Sequence, residues 1–554
     1  MTLVLSLGNS SFTGSRLSLS QETTTMPSKS TNARTLFVAG LLSSQGCVTV
    51  FGRRSSDLTP EQVSSMCQRT SNVDDISIEA NANTVHWGYT YKGLPPLATV
   101  TSGDTINVEM ATHHAGDDPD KMIYGDPGME SIYKWDAEGM SVPHRGVKGT
   151  GDGVHILTGP IHICGAEPGD VVQIDILELK PRPNPSTGKT YGVNAAAWWG
   201  YQNRNHLGLP NNLVNPNDQR DVITVYEVIE EDGKYFVQPD YSYRYDEAKP
   251  ATNCTNPTSG VLEGTSFEWS NAEQTFFGVE IPCDDGKQTW PGLWYTGVVN
   301  GDNPSTAAYA DHSSKGAFKL PANIHIGNIG LATSYDEPVD SVPPLPTGGN
   351  MDNQRINQGS TLYLPVQVEG ALLSMGDAHM AQGDCELDGT AVETSINGKF
   401  KITLHKKSEG LPIIVQDLDF PLISTDTAYV IQSYAYADYL QELDNPLSSI
   451  YDNGNNLNRA MDNAYLKTRD WMMRVYNWTE DLAMSAITVG VDFGVTQVVD
   501  GNWGMHTIVR KDVFPVAGFD DNHDGDENAK GRLLAGLLPV ALTLSLTFVS
   551  VYFV

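Results

Sequence analysis

Basic residues are scarce in this chain of 554 residues. Lysine and arginine number 35 against 67 aspartates and glutamates, which gives a formal charge of −32. Nucleic acid and anionic lipid headgroups are both bound through clustered lysine and arginine, so this balance argues against either partner. The acidic surface keeps the chain soluble and is compatible with a small, uncharged substrate.

Cysteine is also scarce, with six residues in the whole chain. That number excludes a small scaffold held together by disulfides. Cys254 and Cys283 flank a polar stretch and are candidates for a pair. Cys164 and Cys385 lie inside tight motifs, and both are predicted to be reduced.

Long apolar runs are lacking except at the C-terminal end. Residues 533–554 (LLAGLLPVALTLSLTFVSVYFV) carry no charge, and a bilayer-spanning helix needs about 20 such residues. An acidic spacer rich in small residues, 520–532, precedes them. This pattern is typical of a GPI-attachment signal, with a tail-anchored helix as the alternative. Either one predicts the secretory pathway, at the cell surface or a vesicle membrane, with the tail as the only membrane contact.

Residues 1–73 lack periodicity and are predicted to be a leader and low-complexity region. The run TLFVAGLL, residues 35–42, resembles the apolar core of a secretory signal, and it is well placed if translation begins at Met26. Sequons at Asn253 and Asn477 are consistent with a secreted glycoprotein.

Residues 74–519 are predicted to form the folded body, and strand signals dominate its first two-thirds. Alternating strands open at Gly-Asp or Gly-Ser turns in 102–110, 168–179 and 358–370. In the second of these, Val172, Ile174, Ile176 and Leu179 are expected on the buried face. Further strands are predicted at 222–229 and 390–405, the latter with a hairpin turn at Asn397-Gly398.

The end of the body changes character. Residues 456–476 have helical spacing and predict a helix packed on the strands, whereas 180–220 and 240–350 are predicted to be rich in loops. The expected fold class is therefore mainly β (α+β), with a sandwich or barrel-like body and helices near its C-terminal end.

The densest polar motif is GDAHMAQGDCE, residues 376–386, which follows an apolar run. It places Asp377, His379, Asp384 and Glu386 within ten positions. Metal sites need several nitrogen and oxygen donors that converge on one point. The alternative is a polar loop whose aspartates cap turns, but the crowded histidine and glutamate favour a metal site.

Three other segments carry candidate ligands. THHAGDDPD contains adjacent histidines 113 and 114, which point to opposite faces if the segment is a strand, so that only one would line a cavity. The long Gly-rich segment 149–170 contains His155. GGNMDNQRINQGS, residues 348–360, places Asn350 and Asp352 on a turn before a strand.

Taken together, these segments resemble the acetamidase/formamidase family. The resemblance covers about residues 80–515 and rests on HHAGDDPDKMIYGDPGMESIYKWDAEG, GDGVHILTGPIHICGAEPGD, VNAAAWWGYQ, GGNMDNQRINQGS, GDAHMAQGDCELDGTAVETS and VDFGVTQVVDGNWGMH. It implies a β-rich homo-oligomer that hydrolyses short aliphatic amides of the formamide and acetamide class to a carboxylate and ammonia. It also implies a metal-assisted mechanism.

The resemblance suggests a role for each matching residue. A divalent metal ion, with zinc expected, would lower the pKa of water from near 16 to ~7 and polarise the carbonyl. Glu386 is the expected general base, and Gln382 or Asn350 would orient the amide. The predicted metal ligands are His155, Asp352, Asp377 and His379, and the predicted substrate contacts are Asp384 and His114.

Two other functions stay open at this point. Cys385 stands where the family usually has a small glycine; it could attack the carbonyl as a nucleophile, although the neighbouring carboxylates disfavour the thiolate. The chain could instead be a non-catalytic surface protein with a sugar-stacking platform formed by Trp198, Trp199, Tyr201, Trp290, Trp294 and Tyr295.

Overall fold

A computed structural model describes residues 56–69, 75–133, 153–197, 199–203, 221–244 and 310–516, with isolated residues and short strand segments between these ranges. Within them, no helix combines the length and apolar character needed to cross a bilayer. Several predictions concern residues outside the described ones: the signal-like run 35–42, the Cys254–Cys283 pair, the Asn253 sequon and the C-terminal spacer and tail.

The larger of two main sheets has nine strands. Its neighbours are antiparallel except for the first two strands, which run parallel. In spatial order the strands are β1 (Ile76–Ile78), β5 (Thr105–Met110), β23 (Ile396–His405), β9 (Val171–Pro181), β21 (Thr361–Pro365), β24 (Leu422–Ser424), β25 (Ala428–Tyr434), β27 (Gly504–Arg510) and β26 (Val491–Gln497).

The second main sheet has six strands. Five follow one another in the order β2 (Val85–Trp87), β8 (Ile156–Ile163), β22 (Leu373–His379), β18 (His325–Leu331) and β20 (Gly348–Asn350). The sixth, β4 (Ala98–Val100), pairs in parallel with β8. β22 is therefore a central strand, and all seven of its residues are buried.

The main hydrophobic core lies between these two sheets. It joins Val108, Ile174 and Ile402 of the larger sheet to Ile161 and Ile329 of the smaller one, all essentially inaccessible to solvent. Two sheets that share one apolar layer make a sandwich. The predicted mainly β sandwich is confirmed, as is the buried face of β9, whose members are Val172, Ile174, Ile176 and Leu179.

Further strands form smaller sheets; one of them confirms the strand predicted at 222–229, and several others lie in the stretches that were predicted to be loops. A four-stranded sheet is ordered β10 (Tyr191–Ala196), β11 (Val222–Glu231), β12 (Lys234–Arg244) and β17 (Leu320–Pro321). Two-stranded pairs are β3 (Tyr89–Thr90) with β19 (Val339–Asp340), β6 (Trp135–Asp136) with β7 (Gly139–Met140), β13 (Ser259–Val261) with β14 (Glu268–Ser270) and β15 (Thr275–Phe276) with β16 (Val279–Glu280). The loop prediction for 180–220 and 240–350 was thus wrong at β10, β18 and β20, because their Gly- and Asn-rich sequences hide strands that are buried among neighbours.

Two helices, 457–476 and 480–490, pack against the outer face of the larger sheet. The longest, α6 (Leu457–Tyr476), begins at Asn456, whose side chain accepts a 3.0 Å hydrogen bond from the Arg459 N–H. Trp471 and Met472 pack it against the sheet, which confirms the predicted helix. The other helices are α1 (Pro60–Met66), α2 (Pro119–Met122), α3 (Pro127–Ile132), α4 (Tyr439–Glu442), α5 (Pro446–Asn453) and α7 (Glu480–Gly490).

The hairpin predicted at Asn397-Gly398 is wrong. Both residues lie inside β23, which pairs with β5 on one side and with β9 on the other. Ladders on both edges of the strand outweigh the local turn preference. The absence of a side chain at Gly398 leaves room for the Phe400 ring, since a Cβ there would lie 2.4 Å from it.

The prediction that Cys164 is reduced is also wrong, because it forms a disulfide with Cys67, 97 positions away. Cys385 is free, as expected. The disulfide anchors α1 to the body, and the Leu58 N–H donates to the Pro96 carbonyl at 2.8 Å. The folded body therefore extends back at least to residue 56, before the predicted boundary at 74.

Candidate metal centre

Strand β22 places one carboxylate and one imidazole side chain at the centre of the smaller sheet. Asp377 and His379 are two residues apart, so they share one face of the strand. Both are buried, with exposed fractions of 3% and 0%. A charged group in such a place needs a partner, and the surrounding elements supply several.

Asp377 lies between imidazoles that come from different parts of the chain. Its Oδ2 is 3.4 Å from Nε2 of His155, which directly precedes β8. Its Oδ1 is 3.6 Å from Nδ1 of His113, in a 3₁₀ helix (His113–Asp117) that follows β5 of the larger sheet. The site therefore forms where the ends of the two sheets meet.

His379 faces a second set of carboxylates. Its Nε2 lies 3.6 Å from Oδ1 of Asp377, 3.2 Å from Oε2 of Glu393 and 4.0 Å from Oδ1 of Asp352. Asp352 lies just after β20, and Glu393 precedes β23. Five peptide segments thus contribute to one buried cluster.

Two further acids complete the cluster. Glu386 offers an oxygen within 4.8 Å of donor atoms of His379 and Glu393, and it also groups at that distance with Asp352 and Asp500. Asp500 comes from the loop between β26 and β27. We call the set of eight the polar cluster: His113, His155, Asp352, Asp377, His379, Glu386, Glu393 and Asp500.

Several cluster atoms point at one another without well-directed hydrogen bonds. Within the described part of the chain, this holds for Nδ1 of His113, Oδ1 of Asp377, Nε2 of His379 and Oε2 of Glu393. Buried polar atoms are nearly always hydrogen-bonded. Imidazole nitrogens and carboxylate oxygens that converge in this way are the donor set that a divalent cation prefers. The residues therefore fit a metal ion.

Hydrogen bonds from outside the cluster orient its imidazoles. Nδ1 of His155 is 3.0 Å from Oγ of Ser341, which leaves Nε2 to face Asp377. Nδ1 of His379 is 3.0 Å from Oε1 of Gln382, which leaves its Nε2 to face the carboxylates. A ligating histidine typically has its second ring nitrogen held in this way.

A glycine keeps room open at the centre. A Cβ placed on Gly327 of β18 would lie 2.4 Å from Oδ1 of Asp352 and 2.8 Å from Oδ2 of Asp377. It would also lie 2.6 Å from Cε1 of His379. Any side chain larger than hydrogen at this position would collide with three members of the cluster.

The buried charges shift one another's proton affinities. Burial, and then the charge of Asp377, raises the pKa of Asp352 to about 7. Burial and the neighbouring Asp352 likewise raise the pKa of Glu386 and of Asp500 well above the usual carboxyl range. Without a cation, these acids therefore retain protons that a metal ion would displace.

The imidazoles are shifted in both directions. Burial would lower the pKa of His379, but Glu393 and Asp377 raise it well above its usual value. Burial would raise the pKa of Asp377, but the nearby imidazoles of His155 and His379 outweigh burial, so this pKa falls below its usual range. Burial, then His379, lowers the pKa of the adjacent His325 to about 4, so His325 is neutral at pH 7.

Left-handed backbone conformations concentrate at the cluster. Asp352, Asp377 and Glu386 have φ values of 47°, 50° and 43°. Non-glycine residues in this region carry strain, which typically persists at functional sites. Cys385 has φ 88°, so the position where the family usually has glycine is one where a side chain is strained.

The other predicted site residues lie around the cluster. Gln382 contacts His379 as described and donates to the Asp352 carbonyl. Asn350 is buried two residues before Asp352, and its Oδ1 accepts no hydrogen bond from the described residues. Asp384 is not brought into the cluster: it is half-exposed and forms a bidentate ion pair with Arg355, at 2.9 and 3.0 Å.

His114, the predicted substrate contact, has its Nδ1 2.7 Å from Oδ2 of Asp117. Its neighbour His113 faces Asp377 instead. The expected strand alternation does not apply, because the two histidines lie in a 3₁₀ helix that is capped by Thr112, whose Oγ1 accepts from the His114 N–H at 3.1 Å. The N-cap threonine was the available signal for a helical turn.

Three further members of the cluster, His113, Glu393 and Asp500, were not predicted as ligands from the sequence. Glu393 lies in TAVETS and Asp500 in VVDGNWGMH, both within the stretches that carry the family resemblance. Glu393 lies five positions after Asp388, and Asp500 lies six positions before His506, so neither shows the close spacing of ligand-type residues that marked 376–386.

A comparison with known proteins matches most of the segments that form the polar cluster. Residues 150–229 and 309–516 match the family model described as the Acetamidase/Formamidase family. These ranges contain every member of the polar cluster except His113.

Individual relatives agree with that match. An acetamidase of Mycolicibacterium smegmatis is 30% identical over 242 residues, 42% of this chain and 49% of that protein. A putative formamidase of Schizosaccharomyces pombe is 27% identical over 314 residues, 53% of this chain and 57% of that protein. The chain thus spans about half the length of the curated relatives it matches. The crystal structure of an acetamidase from Bacillus halodurans aligns with a TM-score of 0.47 and 19% identity, over 80% of this chain and 100% of that one.

Proposed function

The chain belongs to the acetamidase/formamidase family, and on that premise we propose that it hydrolyses short aliphatic amides to a carboxylate and ammonia with the help of a divalent metal ion. The observation that carries the proposal is the polar cluster, in which imidazole nitrogens and carboxylate oxygens from separate segments converge in a buried place. Relatives named acetamidase and formamidase support the substrate class.

We propose that His113, His155, Asp352, Asp377 and His379 hold the metal. A cation bound there would lower the pKa of water and provide positive charge for the developing oxyanion. An N- and O-donor set of this kind suits zinc, and also manganese or iron.

Protein groups would then handle the substrate and the protons. Glu386 is the proposed base: it takes a proton from the attacking water and returns it to the leaving nitrogen, which departs as ammonia. Its burial near Asp352 and Asp500 favours proton retention, so its carboxyl is suited to hold the proton between these steps. Asn350 is the proposed amide-orienting group because its buried Oδ1 is available to accept from an amide N–H.

The cysteine mechanism is less well supported by the surroundings of Cys385. Burial, then the charge of Asp384, raises the pKa of the thiol, and a nucleophilic thiolate requires the opposite shift. Of the six residues of the aromatic platform, Trp198, Trp290, Trp294 and Tyr295 lie outside the described residues. The other two contact the body of the protein: Trp199 lies beside Gly389, and the Tyr201 ring lies 5.9 Å from the Trp503 ring.

Ammonia release from formamide and acetamide by the purified full-length chain tests the proposal. We expect turnover that is lost after chelation, restored by added Zn²⁺ or Mn²⁺, and insensitive to a thiol alkylator. The Asp377→Asn variant should lose turnover, whereas Asp419→Asn, the same change at an exposed site, should retain it. Turnover that survives chelation and disappears on alkylation would replace this mechanism with the cysteine one.

We also propose that the protein resides in the secretory pathway or at the cell surface. The Cys67–Cys164 disulfide supports this, because such bonds persist in oxidising compartments. Surface labelling of intact cells, with and without phospholipase treatment, tests it and separates a GPI anchor from a tail anchor. A protein found in the cytosol with its tail retained would contradict it.

A further inference from the structure

A histidine lies beside the disulfide between Cys67 and Cys164. His162 is near the end of β8, two positions before Cys164, and a nitrogen of its ring lies within 4.8 Å of both sulfur atoms. Gly370 leaves room for this ring, because a Cβ there would lie 2.1 Å from Nδ1 of His162. Two sulfur atoms and one imidazole nitrogen therefore meet at one place on the body.

From this arrangement we infer that Cys67, His162 and Cys164 form a second metal site, which takes one zinc ion when the disulfide is reduced. We call these three residues the Cys–His site. It shares no residue with the polar cluster. His155 of that cluster precedes His162 by seven positions, which is roughly 20 Å along a strand that rises about 3.3 Å per residue.

Reduction of the disulfide supplies the sulfur ligands. A dithiol reductant transfers two electrons and two protons to the S–S bond, which breaks into two thiols while the reductant becomes a disulfide. Each thiol then loses its proton as zinc binds, because the thiolate is the form that ligates a metal. Exchange with a disulfide oxidant reverses the reaction: the two sulfurs lose two electrons, their bond reforms and zinc leaves. The crosslink and the bound ion are therefore mutually exclusive.

The donor set and its spacing suit zinc. Tetrahedral zinc has bonds of about 2.3 Å to sulfur and 2.0–2.1 Å to nitrogen, which place donor atoms roughly 3.4–3.8 Å apart. The imidazole nitrogen is already within 4.8 Å of both sulfurs. Once the S–S bond is broken, rotation of the cysteine side chains to other staggered positions separates the sulfurs. Thiolates are soft ligands and select zinc over the harder divalent ions.

A fourth ligand is available on the same side of His162. Burial lowers the pKa of His162, and the charge of Glu369 opposes that shift. Glu369 is exposed and directly precedes Gly370, the residue that lies against the imidazole ring. Its carboxylate or a water molecule would complete the tetrahedron around zinc.

The Cys–His site would serve to hold the N-terminal helix on the body. None of the residues of α1 is buried, so packing contributes little to its position. Its tethers include the disulfide at Cys67 and the ion pair between Arg69 and Asp104. Zinc would keep Cys67 fastened to the end of β8 in the reduced chain, before the disulfide forms or after a reductant opens it.

Cobalt is the probe for the test, because Co²⁺ substitutes for zinc and absorbs strongly in the near ultraviolet when sulfur is a ligand. The polar cluster contains no sulfur and gives no such band. Full-length protein is reduced with a dithiol, freed of the reductant without air and titrated with Co²⁺. We expect the band in the reduced protein only, with one more ion per chain than in the oxidised protein. Added Zn²⁺ should displace the cobalt and abolish the band.

Variants assign the band to the three residues. Cys67→Ser and Cys164→Ser should each lose the additional ion, whereas Cys385→Ser removes the free thiol outside the site and should keep it. His162→Ala should weaken Co²⁺ binding by at least the roughly 10- to 100-fold that is typical of a lost outer partner of a ligand. His312→Ala, at an exposed position, is the matched control and should bind as wild type does.

Three results would overturn the Cys–His site. The first is an equal metal content in reduced and oxidised wild type, and the second is a band of undiminished intensity in Cys67→Ser or Cys164→Ser. The third is an unchanged affinity in His162→Ala. The wild-type comparison uses one chain in two redox states, so it does not depend on whether any variant folds. Amide turnover by the oxidised protein tests the proposed function separately, since the polar cluster is present in both states.

Discussion

The side chain of Gln382 donates a 2.7 Å hydrogen bond from Nε2 to the backbone carbonyl of Asp352. The Oε1 of the same amide lies 3.0 Å from Nδ1 of His379 and 2.9 Å from Nε2 of His325. One amide therefore orients an imidazole and fixes the peptide that carries a carboxylate, and both of these groups belong to the polar cluster.

Replacing Gln382 with alanine should weaken metal binding without removing a ligand. Loss of an orienting hydrogen bond of this kind typically costs about 10- to 100-fold in metal affinity. Competition with a chromogenic chelator measures the change. Gln416→Ala, at an exposed position, is the matched control and should bind metal as wild type does. An unchanged affinity in Gln382→Ala would contradict the positioning role.

Gly327→Ala should fill the space at the centre of the polar cluster and so weaken metal binding. The added methyl group would overlap Asp352, Asp377 and His379, and crowding a packed site costs about 1–3 kcal/mol, or roughly 5- to 150-fold in affinity. Gly383→Ala is the control, because a Cβ there meets nothing within 4 Å. We expect metal content to fall in the first variant only, with circular dichroism unchanged in both. Equal metal content in the two variants would show that the space beside Gly327 is not needed.

Cys385→Gly should stabilise the protein. Cys385 has φ 88°, a conformation that glycine adopts without strain, so the change should add about 1 kcal/mol to the free energy of unfolding. Urea titration measures it, and Cys385→Ala, which keeps a Cβ, should show no such gain. Because the thiol has no role in the proposed mechanism, amide turnover should persist in the glycine variant. Loss of turnover in both variants would instead implicate the thiol.

The stability of the chelated protein should depend on Asp352 and pH together. Burial and Asp377 raise the pKa of this carboxyl to about 7 in the folded state, against about 3.9 in an unfolded chain. A raised carboxyl pKa stabilises the fold fully below the unfolded value, and that contribution is lost as the pH rises through about 7. Asparagine mimics the protonated acid at every pH.

Melting temperatures of chelated wild type and Asp352→Asn should therefore be similar at pH 4.5 and diverge by pH 8. At the higher pH the variant should be more stable, by on the order of 1–3 kcal/mol. With metal added, the wild type should be the more stable of the two proteins. The bound ion stabilises the charged Asp352 carboxylate, and the variant lacks this ligand. Parallel curves across this range would contradict the raised pKa.

Much of the fold followed from periodicity. The buried face of β9 and the helix that became α6 were predicted because each repeats an apolar pattern over several turns or pleats. The hairpin prediction at Asn397-Gly398 failed because turn preference is local, whereas strand pairing on both edges of β23 depends on residues far away in sequence. Cys67 and Cys164 could not be paired from sequence, since 97 positions separate them.

For the candidate site, the segments could be predicted but not all of their members. His155, Asp352, Asp377 and His379 lie in segments that stood out in the sequence, and the structure brings these four together; their role as ligands stays a prediction. His113 was passed over for His114 because a strand was assumed where a 3₁₀ helix begins. Glu393 and Asp500 reach the cluster only through the path of the chain between sheets, and a single acid in a loop carries no signal of that path.

The disulfide between Cys67 and Cys164 has a consequence for the metal. It closes a covalent ring of chain that includes His113 and His155, while Asp352, Asp377 and His379 lie outside it. A metal ion held by ligands from inside and outside the ring would fasten the ring to the remainder of the molecule at the polar cluster. Stripping the metal should then loosen the ring as a unit, with faster amide exchange in residues 105–117, even though the crosslink remains oxidised.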